Sequence, residues 1–114
     1  MSLITGAHVM IFTRDEDADR AFLRDVLEIS CVDPGGGWLI FKLPPAELGV
    51  HGGEQNDHHE LYFMNEDLDA AIKTLAAKGV TCPEPYAASW GRATSVPLPG
   101  GGKIGLYEPR YARP

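Results

Sequence analysis

The sequence predicts an α+β protein of two tandem βαβββ units, 1–55 and 56–114, whose strands form curved mixed sheets around a cleft. The chain repeats itself, and each repeat carries the same order of strand, helix and turn signals. Aligning the segment from His8 with the segment from Glu60, at a shift of 52, puts Asp15 on Asp67, Asp17 on Asp69, Ala18 on Ala70, Leu23 on Leu75 and Trp38 on Trp90. Further on the shift becomes 56, and Leu48-Gly49-Val50-His51 falls on Ile104-Gly105-Leu106-Tyr107. A loop-length difference produces such a drift. The join is the glycine-rich, polar stretch Gly52–Asp57.

His8–Thr13 and Glu60–Met64 are rich in β-branched, aromatic and long apolar residues and open each unit as strands. A helix follows each. Asp15 or Asp17, and then Asp67, stand at the N-cap, with further acid in the first turn. Ala18, Phe22 and Val26, like Ala71, Ile72 and Leu75, recur at helical spacing, and Gly79 suits a left-handed helix end. Strands over Ser30–Asp33, Trp38–Leu43 and Leu48–His51 complete the first unit; Val80–Tyr86, Ala93–Leu98 and Lys103–Tyr107 complete the second. Pro34-Gly35-Gly36-Gly37 and Pro99-Gly100-Gly101-Gly102 read as hairpin turns, since neither opens a helix as an anion-binding loop does.

Alternation then assigns faces. Val9, Ile11, Leu61 and Phe63 belong to the face that helices cover. His8, Met10 and Phe12, with Glu60, Tyr62 and Met64, point the other way. That second face mixes aromatic, sulfur and ionisable groups, as a ligand cleft does; packing of sheet on sheet is the competing reading.

The charge balance, 10 − 16 = −6, and the absence of a basic run exclude a phosphate-backbone binder, so no nucleic-acid partner is expected. No apolar stretch reaches the roughly 18 residues of a membrane span. Met1–Gly6 has no secretion-signal character, and Cys31 and Cys82 follow no metal or redox spacing; the expectation is a cytoplasmic protein with reduced thiols.

The paired units, the helix opening Glu66-Asp67-Leu68-Asp69-Ala70-Ala71-Ile72 and the ending Leu98-Pro99-Gly100-Gly101-Gly102-Lys103-Ile104-Gly105-Leu106-Tyr107-Glu108-Pro109 resemble the vicinal oxygen chelate superfamily. That superfamily includes glyoxalase I, extradiol dioxygenases, methylmalonyl-CoA epimerase and the bleomycin- and fosfomycin-resistance proteins. The resemblance covers nearly the whole chain. It implies a homodimer, and in metal-using members one ligand from the first and one from the last strand of each unit. Carried over, the first strands supply His8 and Glu60, whereas the last strands offer Gly49 and Gly105, which have no side-chain ligand. Half of the ordinary site is missing.

His51 lies two residues beyond Gly49, on the same strand face and roughly 7 Å along. With His8 and Glu60 it makes a two-His-one-carboxylate set, the composition of non-haem iron sites. No tightly bound cofactor is expected; a divalent ion (Fe, Zn, Ni or Mn) is the alternative. His58 and His59 read as linker residues. The candidate ligand-binding residues are Met10, Tyr62, Met64, Trp90, Arg92 and Tyr107, with Arg92 a partner either for a ligand carboxylate or for Glu84.

Three functions follow. The first is a protein that binds a small, partly aromatic molecule in the cleft beside a degenerate metal site. The second is a metal-dependent dioxygenase, lyase or isomerase acting on vicinal oxygens through His8, His51 and Glu60. The third is a fold kept for protein interaction, which no residue specifically favours.

Overall fold

A computed structural model describes residues 7–114. The elements are α1 (Glu16–Asp25), β1 (Cys31–Val32), β2 (Ile40–Phe41), β3 (Tyr62–Met64), α2 (Leu68–Ala77), β4 (Tyr86–Ala88), β5 (Gly91–Pro97) and β6 (Lys103–Pro109). The fold class is α+β, with two helices and mixed, open sheets among the described residues.

Both helices start where an aspartate can cap them. Asp15 accepts the Ala18 N–H at 3.1 Å, and Asp67 accepts the Ala70 N–H at 3.1 Å. Of the two aspartates that the sequence offers for α1, Asp15 is the cap. The end of α2 is a Schellman motif: Val80 N–H reaches Leu75 O (2.9 Å), Gly79 N–H reaches Ala76 O (3.0 Å), and Gly79 takes φ +83°. Val80 and Leu75 are both buried, which supplies the apolar contact that accompanies this cap. In α1 the matching left-handed residue is Glu28 (φ 56°), and Ile29 N–H reaches back to Leu23 O at 3.0 Å.

The main sheet has the order β3-β6-β5-β4. β3 and β6 are parallel, pairing Tyr62 with Gly105 and Met64 with Tyr107, so α2 and the β4–β5 hairpin lie between them in sequence. β5 pairs antiparallel with both β6 and β4. One face of this sheet is closed by α2: Leu68, Leu75, Val80, Val96 and Leu106 form the core, joined by Phe63 and Ile72. The apolar stripe of α1, Phe22 with Val26 and Leu27, packs against this same core. Lys78, just past α2, ties the two helices by donating to Val26 O (2.8 Å) and to Glu28 (3.2 Å). Asp19, buried in α1, accepts the Gly100 N–H of the β5–β6 turn at 2.7 Å.

The first half differs from the sequence expectation. Among its described residues, the only paired strands are the two-residue β1 and β2, in the register Cys31–Phe41 and Val32–Ile40. His8–Thr13 and Leu48–His51, expected as strands, are irregular, and Val80–Pro85 is irregular ahead of β4. A strand is stable only when its backbone groups meet a partner. The two first-half segments have strand-type residues but no neighbouring strand among the described residues, and Phe12, Leu48 and Val50 are 92%, 90% and 95% exposed. The whole chain exposes 8912 Å², against about 6,100 Å² for a compact monomer of this mass. Its radius of gyration is 15.2 Å, where about 13 Å is usual for this length.

Candidate functional site

The sheet face opposite α2 carries the aromatic residues. Alternation along β3 sends Phe63 to the core and Tyr62 to the open face, as the pattern predicts. On β6, Ile104 and Leu106 point inward, so Gly105 and Tyr107 share the face of Tyr62. The ladder continues that face through Ala93, opposite Tyr107, to Tyr86, opposite Ala93. Trp90 stands in the turn between β4 and β5.

These rings form a row. Tyr62 and Tyr107 meet edge to face with centroids 5.8 Å apart, Tyr107 and Trp90 likewise at 5.8 Å, and Trp90 and Tyr86 at 6.0 Å. Small residues make the floor, and Gly105 shows why: a Cβ built there meets the Tyr62 ring, with Cε1 only 2.5 Å and Cγ 2.7 Å away. The ring fills the volume that a side chain at position 105 would need.

Carboxylates stand at the hydroxyl ends. Tyr62 donates to Glu60 at 3.2 Å; burial and the neighbouring Glu60 charge hold its phenol above the usual tyrosine range. Tyr107 donates to Glu47 at 3.1 Å, and the Tyr111 hydroxyl donates to the same oxygen. Arg113 meets the other Glu47 oxygen at 3.4 Å and Pro45 O at 3.3 Å. The Tyr111 bond, then those from Tyr107 and Arg113, hold Glu47 below the ordinary carboxylate range despite partial burial. In return, Glu47 raises the Tyr111 phenol strongly.

Of the six candidate ligand-binding residues, the structure brings together Tyr62, Trp90 and Tyr107, with Met64 at the end of the same β3 face. Met10 lies in the irregular His8–Thr13 segment and is exposed. Arg92 is turned to the helix side: it pairs with Glu108 across the ladder and binds Asp69 of α2 through two bonds of 3.0 and 3.2 Å. That pair depresses Asp69 and raises Arg92. Arg92 and Trp90 are sequence neighbours, but Trp90 precedes the strand and the strand's alternation does not govern it.

The metal candidates do not converge. Among the described residues, no three His, Cys, Asp or Glu side chains come together in a metal-binding group. His8 is exposed in an irregular segment, His51 contacts the neighbouring Gly52 carbonyl through Nδ1 at 2.5 Å, and Glu60 is bonded to Tyr62 with His58 at 3.5 Å. The ordinary four-ligand site does not fit this chain, since the place of one ligand is taken by the Tyr62 ring.

Tyr86, Glu47 and Tyr111 are the functional candidates that sequence reasoning missed. Tyr86 carried a signal, a large aromatic two residues before Ala88 on a strand. Glu47 and Tyr111 lie 64 positions apart and had none. The ring row is an open face rather than an enclosed cavity. A shallow depression of about 400 Å³ lies farther along the sheet toward the β5–β6 turn, lined by Thr81, Pro83, Ser95, Pro97 and Lys103, with Ser95 the ladder partner of Gly105.

Neither protein-family models nor curated protein sequences give a match to this chain. Solved structures do. TnmS3, an antibiotic binding protein from Streptomyces sp. CB03234, is 23% identical, with 93% of this chain and 98% of that chain covered and a TM-score of 0.66. A glyoxalase/bleomycin resistance protein/dioxygenase superfamily member from Sphaerobacter thermophilus DSM 20745 is 26% identical, covering 94% and 99%, with a TM-score of 0.66. Lactoylglutathione lyase from Agrobacterium tumefaciens is 17% identical, covering 90% and 94%, with a TM-score of 0.62. With its α2-backed mixed sheet and the matches spanning nearly the whole of each partner, the chain has the glyoxalase/bleomycin resistance/dioxygenase fold, that of the vicinal oxygen chelate superfamily.

Proposed function

We propose that this protein binds a small, partly aromatic molecule on the uncovered face of its four-stranded sheet, beside a degenerate metal site, and does so as a cytoplasmic homodimer of two-repeat chains. The observation that carries the reading is the row Tyr62–Tyr107–Trp90–Tyr86. Four connected rings offer flat apolar area with polar edges, which suits stacking against a ligand ring. The similarity to an antibiotic binding protein agrees with this chemistry. Gly49 and Gly105 favour binding over metal-dependent catalysis, because two remaining side-chain ligands fall short of the three usual in catalytic sites.

A homodimer supplies what the open face lacks. The surface in excess of a compact monomer is of the order that obligate interfaces bury. Phe12, Leu48 and Val50 lie on two strand-like segments without partners. A second copy that pairs with these segments removes that apolar area from water and gives the ring row a wall. The two cysteines are free thiols, in keeping with a reducing compartment.

The test is a titration of the protein with a panel of aromatic compounds, read by tryptophan emission. Binding that equilibrium dialysis finds weakened in Trp90→Leu and kept in Trp38→Phe supports the reading. Emission unchanged by every compound, with none retained on equilibrium dialysis, contradicts it.

A further inference from the structure

The ring row differs from a general apolar face in the charge around it. Tyr62, Tyr86 and Trp90 keep 40%, 55% and 39% of their surface open. Neighbouring rings are nearly perpendicular, at 83°, 86° and 87°, so π-faces, the negative poles of the ring quadrupoles, recur along the row. Glu60 and Glu47 accept the tyrosine hydroxyl protons, which turns those protons toward carboxylates and leaves a row rich in negative potential. Three of the chain's cations are engaged away from the row. Arg92 holds Asp69, Lys78 holds Glu28, and Arg20 lies over Trp38 at 4.9 Å. Arg113 offsets Glu47, but among the described residues Glu60 meets only Tyr62 and the distant edge of His58. Among the described residues, no lysine or arginine makes a cation–π contact with the four rings.

We infer that Tyr62, Tyr107, Trp90 and Tyr86, with Glu60 at the Tyr62 end, form a subsite for an organic cation: an alkylated or quaternary ammonium group carried by the bound molecule. The inference rests on the ligand-binding reading above and adds the ligand's charge. A bulky alkylated cation is weakly hydrated, so ring faces replace its water at little cost. A metal ion or primary ammonium needs several inward-pointing oxygens, and the Tyr62 ring over Gly105 occupies the place where one would stand.

The experiment uses the full-length Trp38→Phe protein, in which emission reports Trp90, and two probes of one shape. Benzyltrimethylammonium carries the charge; neopentylbenzene replaces its nitrogen by carbon. The cation should bind at least about five-fold more tightly than the neutral probe. Glu60→Gln, a change at an exposed side chain, should weaken the cation several-fold at low salt and leave the neutral probe unchanged. Tyr62→Phe should retain most cation binding, since the ring remains. Equal affinity for the two probes overturns the cation assignment and leaves the aromatic-ligand reading standing. Binding of neither probe overturns the cation assignment, and the wider compound panel then decides the ligand-binding reading separately.

Discussion

The ring of Tyr62 lies where a side chain on Gly105 would begin. The two residues face each other across the parallel β3–β6 pair, so the absence of a side chain at 105 and the presence of a ring at 62 are one structural fact. At the position where the superfamily resemblance expects a metal ligand, this chain has a glycine covered by an aromatic ring.

Gly105→Ala should therefore destabilise the protein by about 1–3 kcal/mol, the range for overpacking a filled site. Tyr62→Ala alone should also destabilise, while the double variant should recover part of the loss, a coupling above about 0.5 kcal/mol. Urea denaturation of the four proteins measures this cycle. Strict additivity would show that the ring does not occupy that space in solution.

Asp19 ties α1 to the β5–β6 turn through the Gly100 N–H, and its other oxygen is buried without a hydrogen-bond partner among the described residues. Asp19→Ala should cost about 1–3 kcal/mol through the backbone donor it leaves unsatisfied. Thermal denaturation checks the loss, and amide exchange should locate faster exchange at Gly100. Unchanged protection there would mean that the bond does not join these elements.

How much of this was legible in sequence follows from how local each feature is. Asp15 and Asp67 as caps, Gly79 as a helix end, and the opposite facing of Tyr62 and Phe63 all depend on residues a few positions apart. The strand order of the second half is not local, because β3 and β6 pair in parallel across α2 and the β4–β5 hairpin, and no order was assigned from sequence. The first half was not legible in this way, because His8–Thr13 and Leu48–His51 have strand composition whether or not a partner strand exists. Arg92 was placed with Trp90 because they are near neighbours, yet Trp90 stands in the turn before β5, where strand alternation does not carry its face on to Arg92. The grip of Glu47 on Tyr111 spans 64 positions and has no short-range sign.

The C-terminal segment is held to the first half by Glu47, whose carboxyl is lowered chiefly by the Tyr111 hydroxyl. A carboxyl depressed in the folded state contributes stability above its unfolded value, about 4.3, and loses it as pH falls through the folded value. Tyr111 and Arg113 should therefore become more accessible to an acid-active carboxypeptidase, present throughout the incubation, as pH drops below 4. Glu47→Gln should show that accessibility already at pH 7. Equal digestion of both proteins at pH 7 would exclude Glu47 as the anchor.

The exposed strand-like segments predict a dimer. Light scattering at micromolar concentration should give twice the 12.4 kDa chain mass. Replacing Phe12 and Val50 by aspartate should shift the protein toward monomer. A monomeric wild-type protein would leave the uncovered apolar surface without its partner.

The central claim is that the Tyr62 face of the sheet, and not its α2 face, meets a ligand. Aromatic and methyl NMR spectra, recorded while benzyltrimethylammonium and neutral aromatic compounds are added in turn, test it most directly. The account predicts ligand-dependent shifts at Tyr62, Tyr107 and Trp90, with Phe63 and Leu106 nearly still on the covered face. Shifts confined to Phe63, Leu106 or the β5–β6 turn, or none with any compound, would contradict it.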